Sequence, residues 1–291
     1  MLKYRLISGA VMGALLVLAA LYSPPLVVLG ILVALSVLGQ MEFYAMVRAQ
    51  GLPVSRTVGV SAGVCLIVFT FLTMGPESVR AAAAYRLEDL VMLLCFFGLM
   101  FSQVLRRERH QPLVNVAFTM LGVCYVPYLL NFFTRLAFEW AGDSTGLGIG
   151  VTGCRLILFL VLVVKITDAG AYTFGRLLGR HPMCPQLSPK KTWEGAIGGV
   201  ASAVVAACVF AAATGGQFGS LTLSLTDAAV LGVLLSLAGQ VGDLFESMAK
   251  RAAGIKDSGR SIPGMGGVLD VLDSLLFGAP VLYVYVRFVL C

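Results

Sequence analysis

The chain has 291 residues, 58% of them hydrophobic and only 12% charged, with a mean hydropathy of +0.91. A soluble domain carries about 45–50% apolar residues and about a quarter charged, so this composition excludes a soluble globular fold and predicts an all-α polytopic membrane bundle. The net charge of +6 does not argue for a nucleic-acid partner, because the basic residues fall between apolar blocks, where membrane topology accounts for them.

Nine membrane segments are predicted, at 6 to 22, 26 to 46, 57 to 75, 90 to 105, 113 to 136, 153 to 175, 195 to 214, 227 to 249 and 267 to 290. The first resembles a secretory signal in its basic start. Its run from Leu6 to Tyr22 exceeds a signal core of about 7–15 residues, however, and lacks a small-residue cleavage site, so it reads as a membrane helix. The seven cysteines are scattered, mostly within apolar runs, without CxxC or Cys/His spacing, and are assigned neither disulfide nor zinc.

The side bearing the N-terminus collects Lys3, Arg5, Arg48, Arg56, Arg106, Arg107, Arg109, Arg176, Arg180, Lys190, Lys191, Lys250, Arg251, Lys256 and Arg260. The opposite side holds only Arg80, Arg86, Arg135 and Arg287, while Arg155 and Lys165 lie within the sixth segment. Fifteen against four predicts a cytoplasmic N-terminus. The loop from His181 to Gly195 and the loop after the eighth segment then face the cytoplasm. The first five segments, to about Gly150, read as a scaffold (1–150) and the rest as a catalytic half (151–291) of one continuous membrane unit, because the unusual charges concentrate there.

In the sixth segment Lys165 and Asp168 stand three residues apart, a spacing that suits a structural ion pair or a substrate contact. The loop Ser188-Pro189-Lys190-Lys191-Thr192 sets two ammonium groups beside hydroxyls. The lysines satisfy the positive-inside pattern and also suit a polyphosphate. From Gly239 to Ser274 the chain carries Asp243, Glu246, Asp257, Asp270 and Asp273 with Lys250, Arg251, Lys256 and Arg260. Asp243, Glu246, Ser247 and Lys250 share one helical face. Asp243 sits about two turns inside its segment, where an acid is costly and usually faces the protein interior.

Asp270, Asp273 and Ser274 also share a face, just after Gly264, Gly266 and Gly267. Neighbouring carboxylates in an apolar setting call for a cation, and hard oxygen ligands without His or Cys suit Mg²⁺. The glycines allow backbone to approach a ligand, and a helix start favours anions. Acids for a cation and bases for phosphates at one membrane face fit phosphoryl or nucleotidyl transfer to a lipid. Paired acids would also fit an ion-coupled transporter.

The run Ser247-Met-Ala-Lys250-Arg251, Lys256-Asp257, Ile262-Pro263, Gly266-Gly267-Val268 and Asp270 to Asp273, with the preceding GDLFES, TDAGAYTFGRLLGR and SPKKTWEGAIGG, resembles the pattern of CDP-diacylglycerol synthases, the phosphatidate cytidylyltransferases. The likeness covers about Lys165 to Ser274 and implies a helical membrane enzyme that joins CTP and phosphatidic acid into CDP-diacylglycerol and pyrophosphate. It implies Mg²⁺, with K⁺ at a second metal position, and leaves a homodimer open.

Carried over, Asp243 and Asp270 are metal-centre residues, with Asp273 close by. Ser247, Lys250, Arg251, Lys256 and Asp257 surround that centre and the substrate phosphates. Asp168, Ser188, Lys190, Lys191, Thr192, Gly266 and Gly267 are the expected substrate contacts. Three positions depart from the pattern: Met265 stands where the family usually has His, Val271 where it usually has Arg, and Ala249 where a larger apolar residue is usual. A CTP-dependent polyprenol kinase would share these needs. The short loops and the absence of a transit segment point to a bacterial inner membrane.

Overall fold

The structure is a computed structural model that describes residues 24–74, 81–105, 111–140, 150–259, 261–262 and 266–290. The expected first span at 6 to 22, together with Arg260 and Met265, lies outside the described residues. Among the described residues nine α-helices run in order: α1 Pro25–Ala49, α2 Arg56–Met74, α3 Ala81–Leu105, α4 Pro112–Val123, α5 Leu129–Phe138, α6 Val151–Leu178, α7 Trp193–Ala213, α8 Leu225–Ala252 and α9 Leu269–Tyr285. Seven described spans are long and apolar enough to cross a membrane, with α4 and α5 counting as one and α9 extending to Leu290. α6 matches α8 in length but carries Arg155, Lys165, Asp168 and Arg176.

The chain's punctuation explains where these helices start and stop. α1 begins with proline at its first position, where the missing N–H costs nothing, and is followed by Gly51 at φ 73°. α8 opens with a reciprocal cap, Ser224 and Asp227 each satisfying the other's backbone N–H. Between α4 and α5 a π-helical turn at Cys124–Tyr128 contains Pro127, whose lack of an N–H is absorbed by the widened turn, so the span continues.

The connection expected over Gly75 to Asp89 is helical from Ala81 onward, in keeping with the helix propensity of its four alanines. The connection expected over Arg176 to Glu194 is largely ordered as well. α6 continues to Leu178, and β1 Pro182–Cys184 pairs antiparallel with β2 Ser188–Thr192. A second small hairpin, β3 Gln217–Phe218 with β4 Leu221–Thr222, closes the opposite end of α7.

One hydrophobic core runs from Val28 in α1 to Val286 beyond α9, so both halves of the chain share it. In the first half a buried polar group pins α2, α3 and α5 together. Glu88 pairs with Arg135 and accepts from Thr70 at 2.5 Å and Asn131 at 3.1 Å. In the second half α6 lies against α7 and α8 packs on α9. At the α6–α7 crossing a Cβ at Gly195 would sit 2.8 Å from the Ala171 carbonyl, an approach that only glycine allows. This crossing sets the hairpin beside the end of α8.

Candidate active site

Asp243 and Lys250 project from the last three turns of α8, and Asp270 and Asp273 from the first turns of α9. Helical spacing puts each set on one face, and the turn between the two helices brings those faces together. Lys250 is the hinge of the arrangement: its Nζ lies 2.5 Å from Glu246 Oε2 and 2.7 Å from Asp270 Oδ1. Glu246 is 1% exposed, and its other oxygen is buried without a hydrogen-bond partner among the described residues.

Asp270 is fixed from its second oxygen as well. Oδ2 accepts from the backbone N–H of Ser258 at 2.9 Å, the Ser258 hydroxyl at 2.9 Å and the Gly267 N–H at 2.7 Å. Gly266 adopts φ 106°, a conformation that side chains rarely tolerate, and a Cβ there would collide with Asp270 Oδ2. The two glycines therefore bring backbone up to a carboxylate of the chain itself.

The hairpin and α6 supply the other cations. Lys191 Nζ lies 2.7 Å from Asp243 Oδ2, and Lys165 lies 3.7 Å from Asp168 while donating to the Val271 carbonyl at 3.3 Å. Ser247 donates weakly to Asp243 at 3.5 Å. Asp273 is buried, accepts from the N–H and hydroxyl of Ser274, and lies within electrostatic reach of Asp243, Asp168 and Lys165. Three ammonium groups thus face five carboxylates along one seam. Asp168, Lys190, Lys191, Thr192, Gln240 and Asp243 line a cleft of about 260 Å³, with Tyr172 and Met183 on its wall.

The remaining expected residues sit around this seam. Arg251 is exposed and donates to the Leu187 carbonyl at 3.2 Å, tying the end of α8 to the hairpin turn. Lys256 and Asp257 are exposed on the loop, and Ser188 begins β2. The Thr192 hydroxyl caps α7 by accepting from Gly195 N–H at 3.2 Å, a structural duty beside its place in the cleft.

Among the described residues no three acids, histidines or cysteines gather at one point as a ready metal cage. The donors nevertheless fit a hard cation in chemistry: they are all oxygen, Gly242 brings α8 against the Asp273 backbone of α9, and one Glu246 oxygen has no hydrogen-bond partner among the described residues. In this arrangement the ammonium groups of Lys191 and Lys250 neutralise Asp243 and Asp270.

The sequence model of the cytidylyltransferase family matches residues 3–289. The chain belongs to the cytidylyltransferase family. Its relatives include the phosphatidate cytidylyltransferase of Staphylococcus epidermidis, 35% identical over 190 residues, covering 65% of this chain and 66% of the relative. The enzymes of the same name from Staphylococcus haemolyticus and Staphylococcus aureus are 36% and 34% identical over 194 residues, each alignment covering 67% of this chain and 68% of the relative. The alignments thus span about two thirds of the length of these relatives.

Within this candidate site, two acids stand out that the sequence did not single out as site residues. Glu246 was legible as a charge on the Asp243 face, but its sharing of Lys250 with Asp270 is a contact across the loop. The second is Glu42, in α1. Its carboxylate accepts from Ser258, Ser261 and the start of α9. The signal was present all the same, since Glu42 is an acid inside an otherwise apolar span, the same feature that marked Asp243.

Proposed function

We propose that this protein is a phosphatidate cytidylyltransferase that joins CTP and phosphatidic acid into CDP-diacylglycerol and pyrophosphate, working from the cytoplasmic face of a bacterial inner membrane. The observation that carries the reading is the seam itself: lysines from the hairpin and from α8, matched to carboxylates of α8 and α9, beside a cleft at one end of a membrane bundle. Ion binding alone has no use for Lys190 and Lys191 in the cleft with Arg251 against the hairpin turn. Two polyanionic substrates do.

A phosphate oxygen of phosphatidate attacks the α-phosphorus of CTP, forming the new P–O bond. The bond from that phosphorus to the oxygen bridging the β-phosphate breaks, and pyrophosphate leaves with its electron pair. The nucleophile is anionic at neutral pH, so relief of charge repulsion matters more than proton removal. Lys190 and Lys191 stand where a triphosphate enters, and an arriving phosphate competes with Asp243 for Lys191. Arg251 and Lys256 add positive charge from the exposed loop. Lys250 holds Asp270 in a fixed orientation through the reaction.

Mg²⁺, when bound, supplies charge neutralisation and alignment of phosphate oxygens. Asp243 and Asp270 would hold it, with Asp273 beside them, and K⁺ is the expected companion ion.

The test uses purified wild-type, Asp243→Asn and Asp270→Asn proteins in detergent micelles containing phosphatidate. Each variant is expected to lose about 100-fold or more of CTP-dependent turnover while remaining folded. Near-normal turnover in both would remove the seam from the reaction. A lipid product carrying one added phosphate instead of CMP would identify a CTP-dependent lipid kinase.

A further inference from the structure

The acid that anchors the charged loop comes from the other half of the chain. Glu42 stands near the end of α1, buried, and both of its oxygens are fully engaged. Oε1 accepts from the Ser261 hydroxyl at 2.7 Å and the Val268 N–H at 3.0 Å. Oε2 accepts from the Ser258 hydroxyl at 3.1 Å and the Leu269 N–H at 2.9 Å. These donors lie 216 to 227 residues further along the chain, so the contact is made only when the two halves are assembled.

The socket is shaped for the carboxylate. A Cβ on Gly259 would come 2.5 Å from Glu42 Oε1, and one on Gly267 would collide with Oε2. Capping α9 would need only the two backbone donors. The two loop hydroxyls do something more, because Ser258 also lies 2.9 Å from Asp270 Oδ2. A hydroxyl has one proton to donate, so Ser258 is shared between the α1 acid and the α9 acid. Glu42, Ser258, Asp270 and Lys250 thus form one chain of contacts from α1 to α8.

We infer that Glu42 is a positioning residue for cytidylyl transfer: it clamps Ser258 and Ser261 against the start of α9 and so holds Asp270 in its reacting orientation. The inference rests on the proposed role of Asp270. It adds that the first half of the chain controls the geometry of that centre without touching substrate. A small misplacement of a reacting group lowers the rate of the chemical step more than it lowers substrate affinity.

The experiment compares Glu42→Gln, Ser258→Ala and Asp270→Asn in phosphatidate micelles, reading kcat, KM for CTP, unfolding temperature and the rate of tryptic cleavage after Lys256. Glu42→Gln is expected to lower kcat about tenfold or more with KM for CTP within about threefold, and to speed cleavage after Lys256. Wild-type kcat in Glu42→Gln, a loss confined to KM, or unchanged cleavage overturns the inference provided Asp270→Asn is inactive. Wild-type turnover in Asp270→Asn overturns the site assignment itself. Should Glu42→Gln fail to fold, Ser258→Ala decides, since it removes the shared hydroxyl and keeps the α9 cap: a tenfold fall in kcat supports the clamp, and wild-type kcat refutes it.

Discussion

Lys250 separates two carboxylates that have little access to water, with Glu246 1% exposed and Asp270 10%. Removing one member of a buried ionic group leaves the others uncompensated, which costs about 3–5 kcal/mol. Lys250→Met is therefore expected to destabilise the protein by about 3 kcal/mol, and adding Glu246→Gln should recover part of the loss because Asp270 keeps Ser258 and Gly267 as donors. Denaturant unfolding in detergent measures both, and equal losses in the single and double variants would contradict the account. Lys191→Met should raise KM for CTP about tenfold, equivalent to about 1.4 kcal/mol of binding, with a smaller effect on kcat. Steady-state kinetics with CTP varied would show it, and an unchanged KM would move the triphosphate elsewhere. Asp243 and Asp270 were legible in the sequence because an acid is conspicuous in an apolar helix. Their partners were not, since the Lys191–Asp243 and Lys250–Asp270 contacts join residues 52 and 20 positions apart.

At the scale of elements, the glycines and alanines of α6 and α7 let the two helices approach closely enough to aim the hairpin at α8. A side chain at Gly198 would run into the Phe174 ring, while Ile197 beside it is 68% exposed and faces outward. Gly198→Leu is expected to lower stability by about 3 kcal/mol or more through overpacking, and Ile197→Val to change it by less than about 0.5 kcal/mol. Thermal unfolding in detergent separates the two, and equal effects would contradict the packing described. Hydropathy located the described spans because bilayer thickness dictates their length. It missed the β1–β2 hairpin: residues 182 to 192 contain three prolines and two lysines and read as loop, and the pairing is held by tertiary contacts such as Arg251 to Leu187.

For the whole molecule, Glu42 ties the end of α1 to the loop after α8, while the Tyr285–Asp227 hydrogen bond and the Arg287–Glu139 pair lie at the other end of the bundle. The loop after α8 and the Tyr285–Asp227 contact therefore lie at opposite ends of the bundle. In a background stripped of native thiols, Lys256→Cys should react with a membrane-impermeant maleimide only from the cytoplasmic side, and Ser220→Cys only from the opposite side. The reverse pattern would invert the topology. Cytidylyl transfer to a phospholipid is tested by incubating the purified protein with phosphatidate, Mg²⁺ and CTP labelled at the α-phosphate. Label is expected to enter the lipid as CMP with one pyrophosphate released per lipid modified. Label remaining entirely in soluble nucleotide, or a lipid gaining a single unlabelled phosphate, would contradict it.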